Sequence, residues 1–422
     1  MTIEQAASGL IVAIIVLIVA QALLVIGFSL VMLRARRVEI EDANCPRAAV
    51  ILCLRGGDPF LRNCIAAILD QDYPNYELRI IVDCEQDPAW SVAAECIAES
   101  GATNVLIQPL RNPKDSCSLK CSSVVQAISE LDDTFEVVAL LDADTVPHRT
   151  WLRELVAPLA DDRVGATTGN RWYMPDEVTL PSLIRYVWNA AAIVQMYWFG
   201  IAWGGSLAIK VKVLRESDLL ERWSNAFCED TMVFRALRQM KLRLVYVPSL
   251  LMVNRESCDL SGYFRWVRRQ LLTARLYHPN WFLVLSHGVS TTIVPLLMVA
   301  LLVVAIREGQ MPVTSWLAAT LAFSWLANAV MITLLEISAR RVVAHRNEPT
   351  QWLGILGFVK YVLALPVTQL VYSAALASSL FVRKVGWRGI TYRVDGPWKI
   401  RMLEYRPYKA SELSDSNPAS SL

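Results

Sequence analysis

Apolar positions along the chain follow two patterns: unbroken runs longer than twenty residues near both ends, and short runs alternating with helical stretches between them. Leu10 to Leu33 is apolar apart from Gln21 and Ser29. That is long enough to cross a bilayer, which takes about 20 residues. A cleaved signal peptide fits less well, because Glu4 makes the leading region acidic and the run is long. Trp281 to Ile306 and roughly Val313 to Ile337 repeat the pattern. The last block, Trp352 to Val382, is interrupted by Lys360 and Pro366. It predicts an interfacial or re-entrant piece plus a helix, or a tight hairpin.

Basic residues flank these blocks. Arg34, Arg36 and Arg37 follow the first, which places the N-terminus outside and the next region in the cytosol. Arg340, Arg341 and Arg346 mark the loop after the third block as inside. A single crossing by the fourth block would leave the tail outside. That tail, 383–422, carries Arg383, Lys384, Arg388, Arg393, Lys399, Arg401, Arg406 and Lys409, which argues for inside. The expected organisation is therefore a membrane helix (10–33), a cytosolic domain (40–279), a C-terminal membrane region (281–382) and a basic cytosolic tail.

Within the cytosolic region the strands fall at Ala48–Leu54, Leu78–Val82, Asn104–Leu110 and Val137–Leu141. Helical stretches lie between them at about Pro59–Asp70, Ala89–Glu99 and Leu119–Leu131. Such alternation implies βαβ units and an α/β domain of Rossmann type with a parallel sheet. Ligands bind such sheets at the carboxyl ends of the strands. Asp83 and Glu85 follow the second strand, and Asp142 and Asp144 follow the fourth. Four acids at one edge repel each other unless a cation and a diphosphate join them. Leu183 to Trp203 carries Tyr186, Trp188, Tyr197, Trp198 and Trp203. It fits an amphipathic helix lying in the membrane interface, and equally a core helix of the domain.

Composition adds limits. The chain has 422 residues, 54% of them hydrophobic, above the roughly 45–50% usual for a soluble chain. Net charge is +2, which gives no bulk electrostatic case for nucleic acid. The nine cysteines contain no CxxC pair, so they read as free thiols in a reducing compartment rather than as a zinc site. Neither GxGxxG nor a P-loop is present, which removes the support for a dehydrogenase or a kinase.

Several motifs carry chemistry. In Leu140-Leu141-Asp142-Ala143-Asp144 an apolar strand delivers two carboxylates into a loop, hard oxygen ligands suited to Mg²⁺ or Mn²⁺ on a substrate phosphate. The same residues would also serve as a surface turn with capping aspartates. Glu229-Asp230 stands at the start of a helix, either as a cap or as a general base. In Trp203-Gly204-Gly205 the paired glycines permit close approach to a ligand, or form an ordinary turn. Arg265 to Gln270 places Arg268 and Arg269 beside the second block, where they could meet lipid headgroups or a leaving group.

Taken together these stretches resemble glycosyltransferase family 2, in its membrane branch, and ceramide glucosyltransferases within it. The similarity runs from about Ala48 to Arg393. Arg55-Gly56-Gly57-Asp58-Pro59 resembles that group's K-G-x-D-P, and Asp70-Gln71-Asp72-Tyr73-Pro74-Asn75-Tyr76-Glu77 resembles its L-D-Y-P-x-Y-E. Asp87-Pro88-Ala89 matches its D-P-A, and the tail from Trp387-Arg388 to Tyr392-Arg393 resembles its closing W-R-x-x-x-Y-R. The resemblance implies a GT-A fold, a UDP-sugar donor, a divalent metal (Mg²⁺ or Mn²⁺) and a lipid acceptor at the membrane. It implies Asp83, with Glu85 as a competitor, and Lys120 and Asp142 on the donor. Asp142 and Asp144 would hold the metal, and Asp230 would be the base. Arg268, Arg269 and Gln270 would lie at the leaving group, with Trp203, Gly204, Gly205 and Glu229 on the acceptor side. The family's (Q/R)-x-x-R-W is imperfect, since Arg265-x-x-Arg268-Arg269 lacks the final tryptophan.

The expected function is inverting transfer of a sugar, glucose by the resemblance, from a UDP-sugar to a membrane lipid such as ceramide. The setting would be a multi-pass protein of a bacterial inner membrane, or of the Golgi or ER in a eukaryote. A processive polysaccharide synthase and a non-catalytic lipid- or nucleotide-binding membrane protein are the alternatives.

Overall fold

The computed structural model describes residues 2–35, 40–346, 348–350, 354–405 and 408. Arg36, Arg37, Arg406 and Lys409, which entered the charge argument above, lie outside them.

The described chain opens with α1 (Ile3–Leu33) and enters the domain at β1 (Ala48–Leu54), α2 (Leu61–Leu69), β2 (Tyr76–Val82), α3 (Pro88–Ser100), β3 (Val105–Pro109), α4 (Leu119–Ser129) and β4 (Val137–Leu141). Next come α5 (Trp151–Val156), β5 (Val164–Tyr173), α6 (Leu180–Phe199), β6 (Ser206–Lys210), α7 (Val211–Glu216), α8 (Leu219–Trp223), α9 (Val233–Gln239), β7 (Arg243–Asn254) and α10 (Leu260–Tyr277). The chain continues through α11 (Trp281–Arg307), α12 (Met311–Ala344) and α13 (Ile355–Phe381) into β8 (Lys384–Trp387), β9 (Ile390–Gly396) and β10 (Lys399–Glu404).

β1 and β4 are apolar from end to end and buried on both faces, the mark of central strands covered by helices. They anchor a seven-stranded sheet of order β3-β2-β1-β4-β6-β5-β7. The β3, β2, β1 and β4 half is parallel, as expected, but β6 runs antiparallel to both β4 and β5. The sheet is therefore mixed. Local chemistry sets the helix limits. Asp87 accepts from Ala89 N and Pro88 opens α3, while Gly101 closes it at φ +62°. Thr179 caps α6, and Gly200 ends it at φ +73°.

The tail is not an extended arm. β8, β9 and β10 form an antiparallel sheet. Its inward residues Val385, Ile390, Tyr392, Val394, Ile400 and Met402 share a core with α4 and the buried side of the catalytic sheet. Tyr392 Oη accepts from Leu119 N at 3.2 Å, which ties this sheet to the start of α4.

Four helices among the described residues, α1, α11, α12 and α13, are long and apolar enough to cross a membrane. In place of the hairpin or broken segment expected for the fourth block, residues 355–381 form one helix with Pro366 inside it. α6 packs against α1: Trp198 Nε1 donates to Leu24 O at 3.0 Å, and Tyr197 meets Phe28. All nine cysteines are free thiols.

Candidate active site

Strand ends converge on a cavity of about 170 Å³. β1 supplies Arg55, β2 Asp83, β4 Asp142 and Asp144, and β5 Arg171. Lys120 reaches in from α4, and Asp230 from the loop before α9. Trp266, Arg269, Gln270 and Thr273 enter from α10, and Trp387, Arg388 and Tyr392 from the C-terminal sheet.

Lys120 organises the acids. Its Nζ lies 2.6 Å from Asp142 Oδ1 and 2.6 Å from Glu229 Oε1. Burial opposes charge on Asp142, but Lys120 outweighs it and holds that carboxyl below its usual range. Glu229 is held up by its burial despite the same lysine. Asp144 has no such partner: burial, and then the charge of Asp142, push it up to about 6. The motif is thus asymmetric, with one carboxylate neutralised by the protein and one not.

Asp230 stands on the other wall. Its Oδ2 accepts from Gly204 N at 2.9 Å and its Oδ1 from the Thr231 hydroxyl at 2.8 Å. The glycine pair is explained by crowding. A Cβ on Gly204 would lie 2.2 Å from Glu229 Oε1, and one on Gly205 would lie 2.6 Å from Asp142 Oδ2. The Trp203–Gly205 loop passes between the two acidic motifs with room for backbone only.

Facing the acids is a group of cations. Arg171 stacks over Trp266 and Trp203, at 4.9 Å and 5.4 Å from the ring centres. Arg269 stacks over Trp387 at 5.0 Å. Among the described residues neither has a carboxylate partner. Burial, and then the charges of Arg171 and Arg388, push Arg269 down to about 10. Arg388 sits at φ +49° and donates to Asp58 Oδ2 at 3.1 Å, while its carbonyl accepts from Arg55 Nε at 2.8 Å. Half-buried cations that repel one another, two of them without a carboxylate partner among the described residues, form a receptacle for a polyanion.

At the far end Asp83 is paired with Arg55 and accepts from Tyr405 Oη at 3.0 Å. Burial raises its carboxyl, with Arg55 opposing. Glu85 is exposed and does not line the cavity. Arg268 is also outside it, turned toward Phe264. Adjacent residues on a helix point about 100° apart, so the α10 face at Trp266, Arg269, Gln270 and Thr273 excludes Arg268. The structure therefore gathers Asp83, Lys120, Asp142, Asp144, Trp203, Glu229, Asp230, Arg269 and Gln270 on the cavity, leaves out Glu85 and Arg268, and places Gly204 and Gly205 behind its lining. It adds Arg55, Arg171 and Arg388, which sequence reading did not assign. Among the described residues no group of three or more His, Cys, Asp or Glu side chains is arranged to hold a metal by itself.

A second cavity, of about 500 Å³, opens among α1, α6, α10, α11, α12 and α13. It shares Arg171, Trp203, Asp230, Trp266, Gln270 and Thr273 with the first.

A mixed α/β sheet with carboxylates at its strand ends, beside apolar helices, defines a GT-A glycosyltransferase fold. The chain belongs to glycosyl transferase family 21, whose model matches residues 11–400. Among solved structures it is similar to a mannosyltransferase from Pyrobaculum calidifontis in complex with GDP-Man and Mn²⁺. The two are 18% identical with a TM-score of 0.49, over 89% of this chain and 99% of that one. It is also similar to glucosyl-3-phosphoglycerate synthase from Mycobacterium tuberculosis in complex with Mn²⁺ and UDP-glucose. Here identity is 15% and the TM-score 0.36, over 56% of this chain and 83% of that one. A search of curated proteins returned no match.

Proposed function

We propose that this glycosyltransferase moves glucose from UDP-glucose to the hydroxyl of a membrane lipid such as ceramide, with inversion at the anomeric carbon and with Mg²⁺ or Mn²⁺ as cofactor. The observation that carries the reading is the position of Asp230, which lines both the polar cavity and the apolar one between the long helices. A soluble donor on one side and a bilayer lipid on the other would meet at that carboxylate.

The residues divide the work. Asp83 and Arg55 hold the nucleoside end. Arg171, Arg269 and Arg388 bind the diphosphate, their shared positive charge relieved by it. Asp144 and the oxygen of Asp142 not bonded to Lys120 would hold the divalent cation. The two carboxylates fit a metal that takes its remaining ligands from phosphate and water, and Asp144 is raised by burial and by Asp142 more than Arg171 lowers it. When bound, the cation neutralises charge on the departing diphosphate. Asp230 accepts the proton of the lipid hydroxyl as that oxygen bonds to the anomeric carbon, and the bond to the diphosphate oxygen breaks to release UDP. Gly204 N and Thr231 hold the Asp230 carboxylate in place.

The catalytic domain faces the cytosol in this reading, with free thiols suited to a reducing compartment. α1, α11 and α12 cross the bilayer, and α13 lies within one leaflet.

The test is transfer from UDP-glucose to ceramide by the full chain in lipid nanodiscs. Asp230→Asn and Asp142→Ala are each expected to lower kcat by about 10³-fold. Full activity in both would overturn the assignment.

A further inference from the structure

The large cavity is not uniformly apolar. Gln21 of α1, Gln195 of α6 and His287 of α11 meet across it, with a glutamine side-chain nitrogen 3.1 Å from His287 Nε2 and another 2.9 Å from His287 Nδ1. Nearby, Gln369 Nε2 of α13 donates to Thr292 Oγ1 at 2.8 Å and lies 3.3 Å from Thr291 Oγ1, and Thr292 shares a 2.7 Å hydrogen bond with Ser373. All seven side chains line the cavity. His287 stands six residues into α11, about 9 Å below its start at 1.5 Å per residue. Thr292 is about 7 Å deeper.

Hydrogen bonds of this kind hold helices together, but helix packing leaves part of the belt unexplained. A neutral imidazole has one donor and one acceptor nitrogen. One of the two glutamines must therefore turn its carbonyl to His287 and the other its amide N–H. That leaves one amide carbonyl and one NH₂ group of the pair without a hydrogen-bond partner among the described residues. The side-chain carbonyl of Gln369 likewise receives no hydrogen bond from any described residue, while its main-chain carbonyl accepts from Ser373. Free donors and acceptors inside an apolar cavity are costly unless something occupies them.

We propose that this belt reads the backbone of the acceptor lipid below its reacting hydroxyl. It would select an amphiphile that offers both a donor and an acceptor there, such as an amide or a secondary hydroxyl, over an ester lipid that offers acceptors only. The inference rests on the lipid-acceptor reading above and adds the residues that discriminate among lipids. Gln195 and Gln369 are specificity-determining residues, at a distance from the Asp230 chemistry.

The experiment uses the full chain in nanodiscs with UDP-glucose and Mn²⁺, and compares ceramide with a 1,2-diacylglycerol of matched chain length. The wild-type protein is expected to favour ceramide in kcat/KM. Gln195→Met and Gln369→Met are each expected to cut that preference about tenfold, the loss of one hydrogen bond. The change should fall on the acceptor KM and leave the KM for UDP-glucose unaltered. An unchanged preference, or an equal loss for both lipids, assigns the belt to helix packing alone and overturns the proposal. Transfer to neither lipid by the wild-type protein overturns the acceptor reading itself, and the belt assignment with it. Because the two glutamines sit on different helices, a variant that fails to fold leaves the other to decide.

Discussion

At the scale of single residues, the site is governed by what can fit between Lys120, Glu229 and Asp230. Gly204 has no room for a methyl group: its Cβ would press on Glu229 Oε1, which is itself buried and held by Lys120. Gly204→Ala must displace Glu229 or Asp230, and a catalytic group moved by about 1 Å can cost on the order of 10²-fold in rate. Gly204→Ala is expected to lose about that much kcat while its thermal midpoint stays near that of the wild-type protein. Wild-type turnover in the purified variant would refute this account. The paired glycines were legible in the sequence as a place of close approach, but the approaching groups are the protein's own: Glu229 at Gly204, and the Trp203 ring and Asp142 at Gly205. Asp142 and Asp144 were legible because strand and loop are adjacent in the chain. Arg171 and Arg388 were not, since one lies inside a buried strand near its carboxyl end with no motif around it and the other comes from a sheet more than two hundred residues away. The choice between Arg268 and Arg269 lay within reach, because the spacing of Trp266, Arg269, Gln270 and Thr273 defines one helix face.

At the scale of elements, the junction of α10 and α11 joins the domain to its membrane helices. His278 caps α10 there. It stacks on Phe234 at 5.3 Å, its Nδ1 accepts from Asn280 N at 3.2 Å, and its Nε2 lies 3.4 Å from Gly200 O. Burial pushes its pKa down to about 4, against 6.5 for an ordinary histidine. Between those values the unfolded chain carries a proton that the folded chain rejects, so stability rises with pH across that window. The thermal midpoint of the solubilised protein is expected to fall as pH drops from about 6.5 toward 4, and His278→Asn is expected to remove one proton's worth of that slope. An identical slope in the variant would show that other groups carry it. The same scale explains which elements the sequence revealed. β1 and β4 are apolar runs between turn residues, and their limits read directly. From the sequence alone, β8 to β10 read as a basic tail. Their alternation of buried Ile390, Tyr392, Val394, Ile400 and Met402 is overlaid by outward Lys384, Arg393, Lys399 and Arg401, so charge masked the period of two.

At the scale of the molecule, the fourth apolar block decides the topology. Counting it as a crossing would put the basic tail and the catalytic domain on opposite sides of the membrane, yet the two share a core and a cavity. The residues after α12 and after α13 adjoin the domain. Following α12, Arg346 donates to Ser249 O and Leu251 O of β7 at 3.0 Å and 2.8 Å. At the far end of α13 Leu380 O accepts from Arg275 of α10, and β8 begins at Lys384. Between them Tyr361 and Tyr372 pack on Tyr186 and Trp188 of α6. In the proposed reading, α13 therefore keeps both ends on one side of the bilayer, because β8 follows it at Lys384 and packs on the same domain. In that reading Lys360 and the interrupted hydropathy belong to a helix lying within one leaflet, and the exposed Ile355, Leu356 and Phe358 would face lipid. The consequence is testable with Glu308→Cys in the α11–α12 connection, His345→Cys after α12 and Lys384→Cys after α13. In sealed vesicles a membrane-impermeant maleimide is expected to label position 308 from one face only, and positions 345 and 384 together from the other. Labelling of 384 from the same face as 308 would make α13 a crossing helix. It would also require the C-terminal sheet to leave the cavity that Trp387, Arg388 and Tyr392 line.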